Sequence, residues 1–436
     1  MERQYKDSGI SWVGLIPNDW KVLRNKNTFI CEKNLVGDES STAQLLSLTT
    51  KGIKAIKPGD TSGKVPESYD TYQRVNPNNI VMCLFDLDCS AVFAGISKYT
   101  GMISPAYKVL SCKNNINPKF ADYWFSYVFD GRKFMHYSKN IRYSLTYEEF
   151  GFLRIVVPPL GEQFKISDFL DKKCGEIDEL ITLQEQMIEK LTNYKRSVIT
   201  EAVTKGLNPN VSLVPSGIDW IGDIPAHWSV IKLGHLFKFQ GGYAFKSDEY
   251  IEDSNNQIIR IGNVKNDKLL LENSPVFIDD NVAAKAKNAK LKDDCILFTM
   301  TGTKGKKDYF FTLLLKKEHF VKNLYLNQRV GCFIAKKNTC PNYYNYLLKE
   351  NRILDSIFFY ETGTANQGNL GIDSISRTLL QMPPLSEQNC IAAHLDEKCG
   401  EIDRLIEKKK QKIKRLKEYK KSVIYEAVTG KLDVNY

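Results

Sequence analysis

One stretch of fifty residues occurs twice, and a chain that repeats so long a segment has few ways to fold. It runs from Pro158 (PPLGEQ) through LDKKCGEID to YKRSVITEAVTKGL at Leu207, and returns from Pro383 (PPLSEQ) through LDEKCGEID to YKKSVIYEAVTGKL at Leu432. At a constant offset of 225 and without a gap, 29 of 50 residues are identical. Within it Cys174, Ile177, Ile181, Ile188, Leu191, Val198 and Ala202 recur at three- and four-residue steps once two polar turns are allowed. Cys399, Ile402, Ile406, Ile413, Leu416, Val423 and Ala427 repeat the pattern. This is the 3.5-residue period of a coiled-coil seam. The skipped positions are polar in both copies, Gln184 and Lys409, then Lys195 and Lys420. Polar residues in a seam lower stability but fix register and partner. The paired prolines suit a helix start, and Gly206 and Gly430 suit the stops. Over Gly161 to Lys205 the spacing predicts a helix on the order of 60 Å long. Two such helices, each with one seam, are expected to bury each other.

A shorter repeat fixes the layout. SGISWVGLIPNDW (Ser8 to Trp20) returns as SGIDWIGDIPAHW (Ser216 to Trp228) at an offset of 208. The chain therefore divides into two tandem halves, with boundaries at 1–157, 158–207, 208–382 and 383–436. The entry motif, with two tryptophans and a proline turn, reads as a loop-like clamp tying each domain to the scaffold. Residues 21–157 mix strand-prone runs (Gln44 to Thr50, Ile80 to Phe85, Ala91 to Ala94, Tyr107 to Ser111, Phe152 to Val157) with a helical patch near Phe120 to Met135. Residues 229–382 repeat the style, with strands at Ile296 to Thr299 and Val330 to Ala335 and a helix over Pro341 to Phe359. The two middles do not align with each other. The fold class is α+β, two domains separated by an antiparallel pair of long helices in pseudo-twofold halves.

Length, 42% hydrophobic and 26% charged residues predict ordered domains with real cores. No apolar run approaches the roughly 20 residues of a membrane helix, and no leader opens the sequence, so a soluble cytoplasmic protein is expected. The ten cysteines form no CxxC pair and no zinc-spaced cluster, which reads as reduced intracellular thiols and no metal site. The net charge is +10, of which +5 falls in 1–157 and +4 in 208–382, while 158–207 carries −2. A modest basic excess on the variable regions suits a polyanion partner.

Basic residues alternate with aromatic ones or amides in those regions. In the first, the candidate DNA contacts are Arg74, Lys98, Tyr99, Arg142 and Tyr143. In the second they are Lys304, Lys306 and Lys307 of a glycine-containing basic turn, Gln328 and Arg329, and Asn366 and Gln367. Lysine and arginine meet phosphates, and asparagine or glutamine can pair with adenine in the major groove. The same residues also suit solvated loops. The basic turn is not GxxxxGK[ST], and no HExxH, GxSxG, GxGxxG or NPP(Y/F) string is present, so no catalytic residue is assigned.

Two variable α+β regions, each closed by a PPLxEQ-headed helix with LDxKCGEID and YKxSVIxEAVT, resemble the specificity subunit of type I restriction-modification systems. WIGDIPAHW (Trp220 to Trp228), SPAYKVL (Ser104 to Leu110), RYSLTYEEF (Arg142 to Phe150) and TGTANQ (Thr362 to Gln367) carry the resemblance across the chain. It implies two target recognition domains that each read one half of a bipartite, asymmetric double-stranded DNA site. The helix pair would set the spacer. It implies docking of two modification subunits, which bind S-adenosylmethionine and methylate adenine N6, and of two ATP- and Mg-dependent restriction subunits. This chain itself would bind no cofactor and catalyse nothing. Ile177, Ile181, Ile188, Leu191 and Val198, with Ile402, Ile406, Ile413, Leu416 and Val423, are the expected helix-pair seam. A self-sufficient nuclease or methyltransferase, or a purely structural linker, are the competing readings.

Overall fold

The computed structural model describes residues 3–50, 52–57, 68–91, 93–138, 143–265, 268–364 and 366–434. The chain forms two compact units, Met1–Gln186 with Lys409–Tyr436 and Met187–Lys408. The two repeated stretches are continuous helices, Leu160–Lys205 and Leu385–Val428. Each unit takes the first part of one long helix and the last part of the other.

Unit 1 opens on a short antiparallel hairpin, Tyr5–Asp7 with Leu15–Pro17, where the sequence reads as loop. The IP pair of the entry motif supplies the second strand, and Ile16 and Trp20 are fully buried behind it. Lys21–Arg24 then pairs antiparallel with Arg154–Val157, the strand that leads into the first long helix. Between them lies a four-stranded antiparallel sheet of Phe29–Glu32, Lys108–Cys112, Ile80–Met82 and Ala94–Ile96, in that spatial order. The helix Pro118–Asp130 follows, with Pro118 at its first position and the Asn117 side chain accepting from the amides of Lys119 and Phe120. Trp124 and Phe125 on this helix are fully buried.

Unit 2 repeats that plan. Leu213–Pro215 pairs with Asp223–Pro225, and Ser229–Lys232 pairs with Leu379–Met382. The four-stranded sheet runs Phe237–Gln240, Val330–Ala335, Cys295–Thr299, Thr312–Leu314, again antiparallel throughout. In both units the chain order across this sheet is first, fourth, second, third. Regions with no alignable sequence thus share one topology, because a sheet needs alternating apolar residues and turns, not particular ones. Unit 2 inserts a further sheet between its first and fourth strands, with Asn256–Ile259 parallel to Asn323–Leu326 and antiparallel to Phe277–Ile278. The stretch expected as one helix over Pro341 to Phe359 is two, Pro341–Leu347 and Asn351–Phe358. Glu350 separates them: its backbone is extended, and its carboxylate caps the second helix by accepting from the amides of Arg352 and Ile353.

The repeated motifs make the same joints in each unit. The glutamate of PPLxEQ accepts from the entry-motif tryptophan, Trp20 Nε1 to Glu162 at 2.8 Å and Trp228 Nε1 to Glu387 at 3.0 Å. The following glutamine spans main chain. Gln163 Nε2 donates to the carbonyls of Pro158 (2.8 Å) and Asn115 (3.1 Å), while Oε1 accepts from Asn117 N at 2.7 Å. Gln388 Nε2 donates to Pro383 (2.8 Å) and Asn338 (3.4 Å), and Oε1 accepts from Cys340 N at 2.8 Å. Both glutamines are fully buried, so each amide is satisfied where an orphan would cost about 1–3 kcal/mol. Tyr123 OH donates to Asp171 at 2.8 Å, and Tyr346 OH to Asp396 at 2.7 Å. Lys119 and Asn342 reach the other oxygens of those carboxylates, at 2.6 and 2.7 Å.

Helix pairing is antiparallel within each unit. In unit 1 Lys409 Nζ reaches Gln184 at 3.3 Å, Lys420 Nζ reaches both oxygens of Asp178 at 2.8 and 2.7 Å, and Cys174 shares a core with Val423 and Ala427. Numbers rise on one helix as they fall on the other. In unit 2 Lys195 Nζ binds both oxygens of Asp403 at 2.8 Å, and Ala202 and Val203 share a core with Ile391 and Leu395. Among the seam residues Ile177, Ile181, Ile402 and Val423 are buried, and Ile188, Leu191, Val198, Ile406, Ile413 and Leu416 are half-buried. The polar seam position Gln184 is buried. Among the described residues no helix is long and apolar enough to cross a membrane.

Candidate nucleic-acid interface

One exposed surface of unit 2 is built from three segments that are distant in sequence. Thr301–Gly302 pairs with Gln367–Asn369, which pairs in turn with Thr362–Thr364. Gly363 sits at φ +119°, a conformation that L side chains rarely adopt, so the hairpin needs glycine there. Met300 joins the third segment: its N–H donates to the Arg329 carbonyl at 3.1 Å, and its carbonyl accepts from Leu370 N at 3.0 Å. The basic turn, the TGTANQ hairpin and the Gln328–Arg329 turn therefore lie together.

Lys304, Lys306, Lys307, Gln328, Arg329 and Asn366 are all exposed, and Gln367 is half-buried. Lys304 Nζ donates to the Gly363 carbonyl at 2.8 Å, and Lys307 pairs with Asp355. Two positioning side chains escaped the sequence reading. Glu361 accepts from the Gly305 amide at 2.9 Å and from Tyr309 OH at 2.6 Å, pinning the basic turn to the hairpin. Burial first, and then the bond to Glu361, push the Tyr309 phenol well above its usual range, so it stays a proton donor at neutral pH. The result is a surface on which exposed cationic side chains stand beside amide side chains, groups that could meet phosphates and base edges.

Unit 1 places its candidates in two groups. Arg74 lies on Gln73–Val75, opposite Met102 of Gly101–Ile103. Lys98 and Tyr99 are exposed on the turn leading into that partner strand, where Ser97 Oγ accepts from Tyr99 N at 3.1 Å. Arg74 pairs with Glu39 at 2.9 Å, a contact between exposed groups that a phosphate could replace. Tyr143 is on another loop, exposed, at φ +45°, with its carbonyl accepting from Leu87 N at 3.1 Å. Arg142 lies outside the described residues. Among the described residues no group of three or more His, Cys, Asp or Glu side chains could hold a metal ion.

Comparison with known proteins places this architecture. Residues 225–415 match the model of the Type I restriction modification DNA specificity domain. Over 433 residues the chain is 27% identical to the type I restriction enzyme MjaVIII specificity subunit of Methanocaldococcus jannaschii, covering 96% of this chain and 94% of that one. It is 22% identical over 297 residues to the EcoKI specificity subunit of Escherichia coli, covering 66% of this chain and 59% of that one. A chain from a study of complex assembly and conformational transition of the type I R-M system superposes with a TM-score of 0.70 at 13% identity, covering 96% of this chain and 99% of that one. The HsdS subunit of Thermoanaerobacter tengcongensis gives 0.50 at 14% identity, with 96% and 98% covered. The fold is that of a tandem α+β protein with two heads on paired long helices. Residues 225–415 are similar to that specificity domain, and nearly the whole chain is similar to a type I restriction enzyme specificity subunit.

Proposed function

We propose that this chain recognises DNA as the specificity subunit of a type I restriction-modification complex, each unit reading one half of a split, asymmetric target. One observation carries this reading: a duplicated frame holds two unlike sets of outer segments, and in unit 2 basic and amide side chains from three distant segments converge on one exposed surface. Phosphate contacts from Lys304, Lys306, Lys307 and Arg329 would make affinity fall steeply with salt. Base-edge contacts from Gln328, Asn366 and Gln367 would be worth about 1–3 kcal/mol each. In this reading the methyl transfer from S-adenosylmethionine and the ATP- and Mg-dependent cleavage belong to partner subunits in the cytoplasm.

The exposed faces of the helices support docking of two copies of one partner. Leu180 and Leu405, equivalent in the repeat, are 42% and 47% exposed, and Tyr194 and Tyr419 are 58% and 55% exposed. Each unit so offers the same apolar set, Leu180 with Tyr419 and Leu405 with Tyr194. A duplicated set of exposed apolar side chains fits a modification subunit bound twice.

Methylome sequencing of a host carrying the system, followed by gel-shift of the assembled modification complex on target and random duplex at stated salt, tests the proposal. Preference for the methylated sequence is expected. Equal binding to both duplexes, or methyl transfer by this chain alone, would refute it. Removing whole turns from the first long helix should change the accepted spacer and leave both half-sites intact.

A further inference from the structure

Two aromatic rings project from the surface of unit 2 beside the basic turn. Phe359 is 82% exposed, more than any other large apolar side chain among the described residues, and Tyr360 is 50% exposed. Their rings meet edge to face with centroids 5.1 Å apart. The stub that carries them is held firmly. Phe359 N donates to Asp355 O at 3.0 Å, Tyr360 N to Ile357 O at 3.2 Å, and Glu361 N to Phe358 O at 3.0 Å. Phe358 is buried and packs edge-on against Tyr309, with centroids 4.9 Å apart. Phe359 thus stands in water on a main chain that these bonds fix.

The surroundings indicate what it meets. Lys307 pairs with Asp355, one turn before Phe359 on the same helix, and Lys304 is anchored to Gly363, four residues after it. Of the carboxylates in this region, Asp355 pairs with Lys307, Glu361 accepts from Tyr309 and the Gly305 amide, and Asp308 accepts from the Thr303 amide. Asn366 and Gln367 complete the hairpin beside them. Aromatic faces rimmed by lysines and amides are the chemistry of base stacking along a phosphate backbone. A protein partner would find an apolar patch of only two rings, bordered by charged and amide side chains.

We infer that Phe359 and Tyr360 form a stacking wedge: on duplex DNA held by Lys304, Lys306 and Lys307, the Phe359 ring enters a base step of the half-site read by unit 2 and Tyr360 backs it. The inference rests on the DNA-reading function proposed above and adds a way of reading that function did not contain. Aromatic wedges of this kind partly unstack a step and select for sequences that deform easily.

The test uses the full chain assembled with its modification subunits, on duplexes carrying 2-aminopurine at successive positions of the methylome-defined site. With the wild type, fluorescence should rise at one step of the unit 2 half-site other than the methylated adenine. Phe359→Ala should abolish that rise and weaken target binding about tenfold or more, since stacking on a base is worth about 1–3 kcal/mol. Phe359→Trp should keep both, and the melting temperature of Phe359→Ala should match wild type. Unchanged fluorescence and affinity in Phe359→Ala would overturn the wedge while leaving DNA reading intact. Loss of modification-subunit assembly with DNA affinity unaltered would overturn it in favour of protein docking. If the wild-type complex does not distinguish target from random duplex, the DNA-reading function fails, and the wedge with it.

Discussion

The two units agree where they join the long helices and differ where they face outward. Trp20 and Glu162, Gln163, and Tyr123 with Asp171 have their counterparts in Trp228 and Glu387, Gln388, and Tyr346 with Asp396, at nearly equal distances. Their four-stranded sheets follow one order. In the segments between the shared strands the likeness stops. Unit 2 adds a mixed sheet and gathers its basic turn against the TGTANQ hairpin, whereas unit 1 carries Arg74, Lys98 and Tyr99 on one corner and Tyr143 on another loop. The frame is specified by side-chain joints and the topology by pattern, which leaves the residues of the outer segments at liberty.

The shared frame depends most on its tryptophans. Trp20 is fully buried and Trp228 nearly so, so Trp20→Ala and Trp228→Ala should each cost about 3–5 kcal/mol. Hydrogen exchange should show the loss confined to the unit that carries the substitution, and an equal loss in both units would contradict separate frames. Leu191→Asp and Leu416→Asp come next. Both sites are half-buried, so each should cost about 1–3 kcal/mol in urea unfolding. Unchanged melting would contradict the seam.

A pH-dependent effect sharpens one difference between equivalent positions. Asp122 of unit 1 stands where unit 2 has Asn345, each the fifth residue of a proline-headed helix. Burial raises the Asp122 carboxyl to about 6, although it accepts from Ile96 N at 3.0 Å. A raised carboxyl costs stability once ionised, and that cost fades as pH falls through 6 toward 4. Asp122→Asn should therefore raise the melting temperature by about 2–4 °C at pH 8 and leave it unchanged at pH 4. A gain that persists at pH 4 would rule out this cause. The smallest effect belongs to the seam lysines. Their aspartate partners Asp403 and Asp178 are 57% and 58% exposed, so Lys195→Ala and Lys420→Ala should each cost under about 1 kcal/mol, equally and less at high salt. A double-mutant cycle measures it.

The scaffold was legible because the sequence states it twice, and the strand expected over Val330 to Ala335 has the same bounds in the structure. The α+β class followed from pattern. What escaped was whatever depends on distance along the chain. The IP strands of the entry motif read as loop because their partners, Tyr5–Asp7 and Leu213–Pro215, are short and mostly polar or exposed. The shared sheet order left no alignable residues. The meeting of Lys304 with Gly363, and of Met300 with Arg329, is a matter of topology that no local window contains. Phe359 gave no warning either, since an aromatic that closes an apolar helix face reads as core.

The buried glutamines of the two joints make every one of their hydrogen bonds to main chain, Gln163 to Asn117, Asn115 and Pro158, and Gln388 to Cys340, Asn338 and Pro383. A backbone amide and a backbone carbonyl look alike in almost every amino acid. Such a socket grips whatever loop passes through it without regard to spelling, so the residues just beyond can drift freely while the grip stays as it was.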